Sequence, residues 1–236
     1  MEATPQRRWL IAAVGILALA PFSFARGADL TKDQERLRAS HAVLDEAIHV
    51  PEGIPHDLLD KARCVIVIPS VVKAAFVVGA DYGRGAMVCR TGEDGQGPWG
   101  APAMYALEGG SFGFQIGAQA TDYVLLVMND RGMNSLLHSK VALGGDLSVA
   151  AGPVGRDLTA DTDAFMRAEI LSYSRTRGVF AGVSLTGATL HPDGRANHEL
   201  YGRTNTAEIV RGSEVTTPDG GHDLVALLQE TSPHRS

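Results

Sequence analysis

The spacing of apolar residues changes along the chain from helical to alternating. Leu37, His41, Leu44 and Ile48 recur at helical intervals, with charge on the other faces. They predict an amphipathic helix of about four turns. Thr31 followed by Gln34 has capping-box spacing at its start, and Pro51-Glu52-Gly53 ends it. Pro55 sits where a first helical turn tolerates proline, so residues 56–62 read as a second, short helix.

From Cys64 the pattern is that of strands. Residues 64–68 form a β-branched run ended by Pro69, and residues 74–80 and 85–90 are two further strands, with Asp81-Tyr82-Gly83 as the turn between them. Over residues 110–128, Phe112, Phe114 and Ile116 alternate with Gly113, Gln115 and Gly117. Large groups then line one strand face and small ones the other, as where a second backbone comes close or a barrel bends. Tyr123 to Met128 continues as an apolar strand buried on both sides. Asn129-Asp130 caps a helix over 132–140. Strand character returns at 147–151, 168–173 and 178–190, with Ser174-Arg175-Thr176-Arg177 as a hairpin turn, and helical patterns appear at 199–201, 207–211 and 224–229. The order predicts a single α+β domain: a mostly antiparallel or barrel-like β core with N-terminal helices, one inserted helix and a helical tail.

The ends add a compartment. Arg7 and Arg8 precede an unbroken apolar and small-residue run over 10–20, Pro21 breaks it, and Ser23-Phe24-Ala25 offers small residues at a cleavage site. Residues 1–25 read as a signal peptide, and the run is too short for the roughly 20 apolar residues of a spanning helix. Cleavage after Ala25 leaves a periplasmic or secreted protein. It lowers the 21 basic and 27 acidic residues to 19 and 26, which disfavours a nucleic-acid partner. An oxidising compartment and an even count favour a Cys64–Cys89 disulfide, worth about 3 kcal/mol on the chain-entropy model. A three-strand meander argues the other way, because it puts the two residues at opposite ends and leaves two buried thiols.

No chemistry emerges from the motifs. Gly109-Gly110-Ser111-Phe112-Gly113 has the form of a nucleophile elbow, but a strand leaves Ser111 where that device needs a helix. Asp157, Asp161 and Asp163 lack the glycine and closing glutamate of a calcium loop. Gly83-Arg84-Gly85 is followed by a strand rather than the helix N-terminus a phosphate needs. His41 belongs to the boundary of the first helix.

From Lys61 to about Asp193 the chain resembles the SYLF-domain family. The match is carried by Lys61-Ala62-Arg63-Cys64-Val65-Ile66-Val67-Ile68-Pro69, Lys73-Ala74-Ala75-Phe76-Val77-Val78-Gly79 and Tyr82-Gly83-Arg84-Gly85. It continues through Gly109-Gly110-Ser111-Phe112-Gly113-Phe114-Gln115-Ile116-Gly117, Val127-Met128-Asn129-Asp130-Arg131-Gly132, Ala151-Gly152-Pro153-Val154-Gly155-Arg156 and Tyr173-Ser174-Arg175-Thr176-Arg177-Gly178. The resemblance divides the chain into N-terminal helices at 26–60, a SYLF-like core at 61–193 and a tail at 194–236. It implies a lipid-binding module with no catalytic step and no cofactor. Eukaryotic members bind phosphoinositides and some bind actin, through a basic surface and an amphipathic N-terminal segment. A secreted protein does not meet actin, which leaves envelope phospholipid, or an envelope protein held by a β scaffold, as the expected partner. Headgroup phosphate would need cations, and Lys61, Arg63, Lys73, Arg84, Arg90, Lys140 and Arg156 lie near element ends, where arginine can bind phosphate bidentately.

Overall fold

The computed structural model describes residues 23–75, 78–92, 95–112, 117–155, 167–176, 178–212 and 215–233, with side chains from Asp29 onward except 74–79 and 111–119. The signal-peptide reading of residues 1–22, the alternation at Phe114 and Ile116, and the acidic loop at Asp157, Asp161 and Asp163 fall outside them.

Helix α1 spans Ser23–His49, so Thr31 lies within a helix and not at its cap. No proline stands between Pro21 and Pro51 to delay its start. Leu37, Val43, Leu44, Ala47 and Ile48 are buried along one face, and His41 is half-buried at its rim. Pro55 is the N-cap of α2, His56–Lys61. The β core follows as β1 Cys64–Ala75, β2 Val78–Cys89, β3 Ala103–Phe112 and β4 Gly117–Val127. Helix α3, Asp130–His138, is opened by Asn129, whose side chain accepts from Gly132 N. Strands β5 Val141–Ala142, β6 Val149–Ala151, β7 Ile170–Thr176, β8 Val179–Gly182 and β9 Thr189–Pro192 complete the sheet. The tail forms α4 Gly194–Tyr201, α5 Thr206–Arg211 and α6 His222–Thr231.

The expected fold class is the observed one. The sheet runs β5-β9-β3-β2-β1-β4-β7-β6, with β8 continuing the outer edge of β7 beyond β6. Its pairs are antiparallel except β6–β7. The edge strands β5 and β6 are joined by a short turn with a Leu143–Leu147 bridge, so the sheet curls back towards itself.

Several details differ from the sequence reading. The three strands expected over 64–90 are two long ones, and the strand placed at 74–80 straddles their turn. The turn placed at Asp81-Tyr82-Gly83 is strand: a Cβ on Gly83 would sit 2.5 Å from Val71 Cγ2, so this glycine permits close packing, not a reversal. Ser174 to Thr176 stay in β7, and the chain reverses beside Gly178 at φ 80°. Strand β3 begins at Ala103, ahead of the stretch read from residue 110, and over 103–107 both its faces are buried.

The β1–β2 hairpin sets Cys64 directly opposite Cys89, with Cα atoms 4.0 Å apart, and the two sulfurs are bonded. A two-strand hairpin removes the separation that a meander imposes.

Val65, Val67, Val88, Val124 and Leu126 face a core shared with α1, α2 and α6. Ile66, Ile68, Met87, Tyr105, Leu125 and Val127 face the second core, with α3 and α5. These layers do not cover the whole sheet. Val72 and Lys73 in β1, Ala80, Asp81 and Tyr82 in β2, Glu108 to Gly110 in β3 and Ala120 in β4 are half-buried or exposed. The border in β1 is a bulge at Pro69-Ser70, where Ser70 has φ 50° and donates its N–H to Asp122 Oδ1 at 2.7 Å. The double variant Cys64→Ala/Cys89→Ala is expected to lose about 3 kcal/mol in urea unfolding, and the denatured, unreduced wild type to show no reactive thiol.

Candidate functional site

The structure disperses the cations that the sequence grouped. Arg90 is 1% exposed, far from any headgroup position. Its guanidinium lies 4.3 Å over the Trp99 ring, and Nη2 donates to Ser232 O at 3.0 Å, at the C-terminus of α6. Trp99 Nε1 donates to the same carbonyl at 2.9 Å. A cation there meets the negative end of the helix dipole and its unpaired carbonyls. Arg63 is also buried: Nη2 donates to Asp130 Oδ2 at 2.8 Å, and Gly95 closes over the guanidinium. Lys61 is half-buried at the end of α2. Lys73 stands 5.6 Å from the Tyr123 ring and 3.8 Å from Asp81. Burial pulls its ammonium down, and Tyr123 and Asp81 more than offset this, leaving it above the usual lysine range. Lys140 donates to Glu108 Oε2 at 2.9 Å. Arg156 lies outside the described residues. The expected basic rim is therefore not formed by these residues: Arg63 and Arg90 flank the disulfide in the interior, while Lys73 and Arg84 lie towards the other end of the sheet. Ser111 stands within β3, paired with Gly79 of β2.

What the fold does bring together is a groove of about 430 Å³ between α1 and the exposed part of the sheet. Helix α1 supplies Lys32, Glu35 and Arg36, the β1 bulge supplies Pro69, Ser70 and Val72, and β2 supplies Tyr82, Gly83 and Arg84. Val72 and Tyr82 are cross-strand partners and remain 49% and 46% exposed. Arg84 donates its Nε–H to Tyr82 Oη at 2.6 Å, and the same nitrogen lies 3.2 Å from Asp193 Oδ2. With that hydrogen spent on Tyr82, Asp193 gains an ion pair without a hydrogen bond. Of the expected headgroup residues, only Arg84 lines this groove. Lys32 and Arg36 were missed because acidic neighbours on α1 balance them in sequence; only their placement against β2 sets them apart.

In sequence, residues 74–80 and 109–121, which include the ends of β1 to β4, carry no charge. Among the described residues no group of three or more His, Cys, Asp or Glu is placed to hold a metal ion, and no helix is long and apolar enough to cross a membrane.

The family model described as "Ysc84: Las17-binding protein actin regulator" matches residues 108–231. The chain belongs to the Ysc84 (SYLF-domain) family. That description names binding and regulation and no reaction. Among its relatives, LAS seventeen-binding protein 3 of Saccharomyces cerevisiae is 30% identical over 84% of this chain and 43% of its own length. SH3 domain-containing YSC84-like protein 1 of Homo sapiens is 33% identical over 74% of this chain and 50% of its own. The Ysc84-family chain thus spans half or less of these relatives.

Two outcomes follow from the placements. Hydrogen bonds from Lys140 and His191 hold the Glu108 carboxyl below the usual glutamate range. An NMR pH titration should therefore find Glu108 ionised at lower pH than an ordinary glutamate, and Lys140→Met should move it back up. Arg90→Ala removes the contact that fastens the tail and should cost about 3 kcal/mol in chemical unfolding.

Proposed function

We propose that this Ysc84-family protein is a non-enzymatic module of the cell envelope that binds anionic phospholipid surfaces, exported by its N-terminal 25 residues. The observation that carries this reading is the uncharged end of the four central strands, which runs past the covering helices with cations of the groove at its base. Apolar groups there lower their free energy by leaving water. The β1–β2, β1–β4 and β2–β3 ladders pair the inner backbone groups, while among the described residues no strand pairs with the outer edges of β3 and β4 beyond Glu108 and Asp122. Unpaired edge groups need water, which sets the depth at the headgroup region and not the hydrocarbon core. The actin named in the family description does not transfer to an exported chain.

The pairing of Lys73, Arg84 and Lys140 with carboxylates favours a second reading, an envelope protein held on the same exposed strands. Co-sedimentation with vesicles separates the two. The mature protein is expected to sediment with vesicles containing phosphatidylglycerol, and Val72→Asp, at an exposed position, to weaken this about fivefold or more, as one misplaced charge near an anionic surface does. Absence of binding to both anionic and neutral vesicles at low salt overturns the membrane reading, and capture of a stable protein partner then supports the second.

A further inference from the structure

Two of the three groove cations rest on buried carboxylates. Arg36 is hydrogen-bonded to Asp33, whose side chain is fully buried. Arg84 is paired with Asp193, which is 7% exposed. A third carboxylate, Glu199, accepts from Arg195 Nη1 at 3.1 Å, and the same nitrogen donates to Asp29 at 2.8 Å. One oxygen on each of Asp33, Asp193 and Glu199 is buried with no hydrogen-bond partner. Three carboxylates and three arginines thus share the α1–α4 contact behind the groove, and the carboxylates are under-satisfied.

Burial pushes the Asp33 carboxyl above its usual range; Arg36 opposes this, and Glu199 and Asp193 add to it. The charges that act on Asp33 besides Arg36, Glu199 and Asp193 include Arg195, and the turn Asp219–Gly221, which packs on Gln34 of α1, brings Asp219 to the same helix. His191 is occupied with Glu108, 3.2 Å away.

We propose that the groove is a phosphate-ester site formed by Lys32, Arg36 and Arg84, and that protonation of buried Asp33 releases Arg36 to it. The proposal rests on the membrane reading and adds its ligand chemistry and its control. When a phosphate oxygen takes Arg36, Asp33 is left as a buried carboxylate without its counter-ion and takes one proton from water. Binding therefore consumes a proton and tightens as pH falls. A phosphodiester stays singly charged over this range, so the change belongs to the protein.

The test is binding of the mature protein to phosphatidylglycerol-containing and pure phosphatidylcholine vesicles at pH 7.5 and 5.5, for wild type, Asp33→Asn and Lys32→Gln. Histidines charge over the same interval in all three, so the comparison between variants isolates Asp33. One arginine released to an anionic surface is worth about fivefold in binding. Wild type should gain about fivefold more than Asp33→Asn on acidification, and at pH 7.5 Asp33→Asn should bind about fivefold more tightly than wild type. Lys32→Gln should weaken binding at both pH values. Thermal melting checks that Asp33→Asn, which removes a buried charge, remains folded. Soluble glycerol phosphate distinguishes the ligand's source: competition shows that the phosphate alone is recognised, and its absence shows that the phosphate must be membrane-borne. Equal pH responses in wild type and Asp33→Asn, or binding indifferent to phosphatidylglycerol, overturn the groove site and leave the membrane reading intact. Failure to bind any vesicle overturns the membrane reading. The groove is then judged by whether glycerol phosphate shifts the Arg36 and Arg84 side-chain NMR signals.

Discussion

The four central strands are longer than the helical layers that cover them, and the rest of the molecule is arranged around that mismatch. Over the covered half, each strand buries both faces: Val65 and Val67 towards α1 and α6, Ile66 and Ile68 towards α3 and α5. The same hydrogen-bonded ladders continue past this half, where α1 borders the groove and side chains such as Val72 and Tyr82 stay exposed. Buried apolar area holds one half, and the backbone ladders carry its rigidity to the other. The border is the Pro69-Ser70 bulge, where proline has no N–H for the ladder and Asp122 receives that of Ser70.

Charge is placed by the same constraint. A cation at the covered end of the sheet is inside the protein, and it persists there only with partners. Arg90 finds an aromatic face and a helix C-terminus, and Arg63 finds Asp130. At the uncovered end, Lys32, Arg36 and Arg84 keep access to solvent from α1 and β2. Arginine suits this position because its guanidinium can serve a buried carboxylate and still present further N–H groups outward.

The matched model covers residues 108–231, from β3 to α6, while α1, β1 and β2, which build the groove, come before it. The likeness to the Saccharomyces cerevisiae relative, over 84% of the chain, extends into these elements as well.

The sequence by itself determined the elements whose signals are local. Helical spacing gave α1, a proline gave the start of α2, Asn129 gave the cap of α3, and β-branched runs gave the covered strands. It also gave the uncharged tracts at 74–80 and 109–121, since absence of charge needs no partner to be seen. Only the tertiary structure decided what depends on a second segment. Gly83 reads as a turn in sequence and is a packing contact with Val71 in space. The Cys64–Cys89 disulfide was favoured by compartment and count and opposed by a three-strand meander, and the two-strand hairpin removes that objection. Seven cations near element ends read as one rim, yet burial and ion pairing are set by what packs over each residue. Asp33 shows the same limit, since an acidic residue on an amphipathic helix looks solvated until α4 and β2 close around it. Local pattern fixes period and propensity, whereas exposure and charge partners arise between residues far apart in the chain.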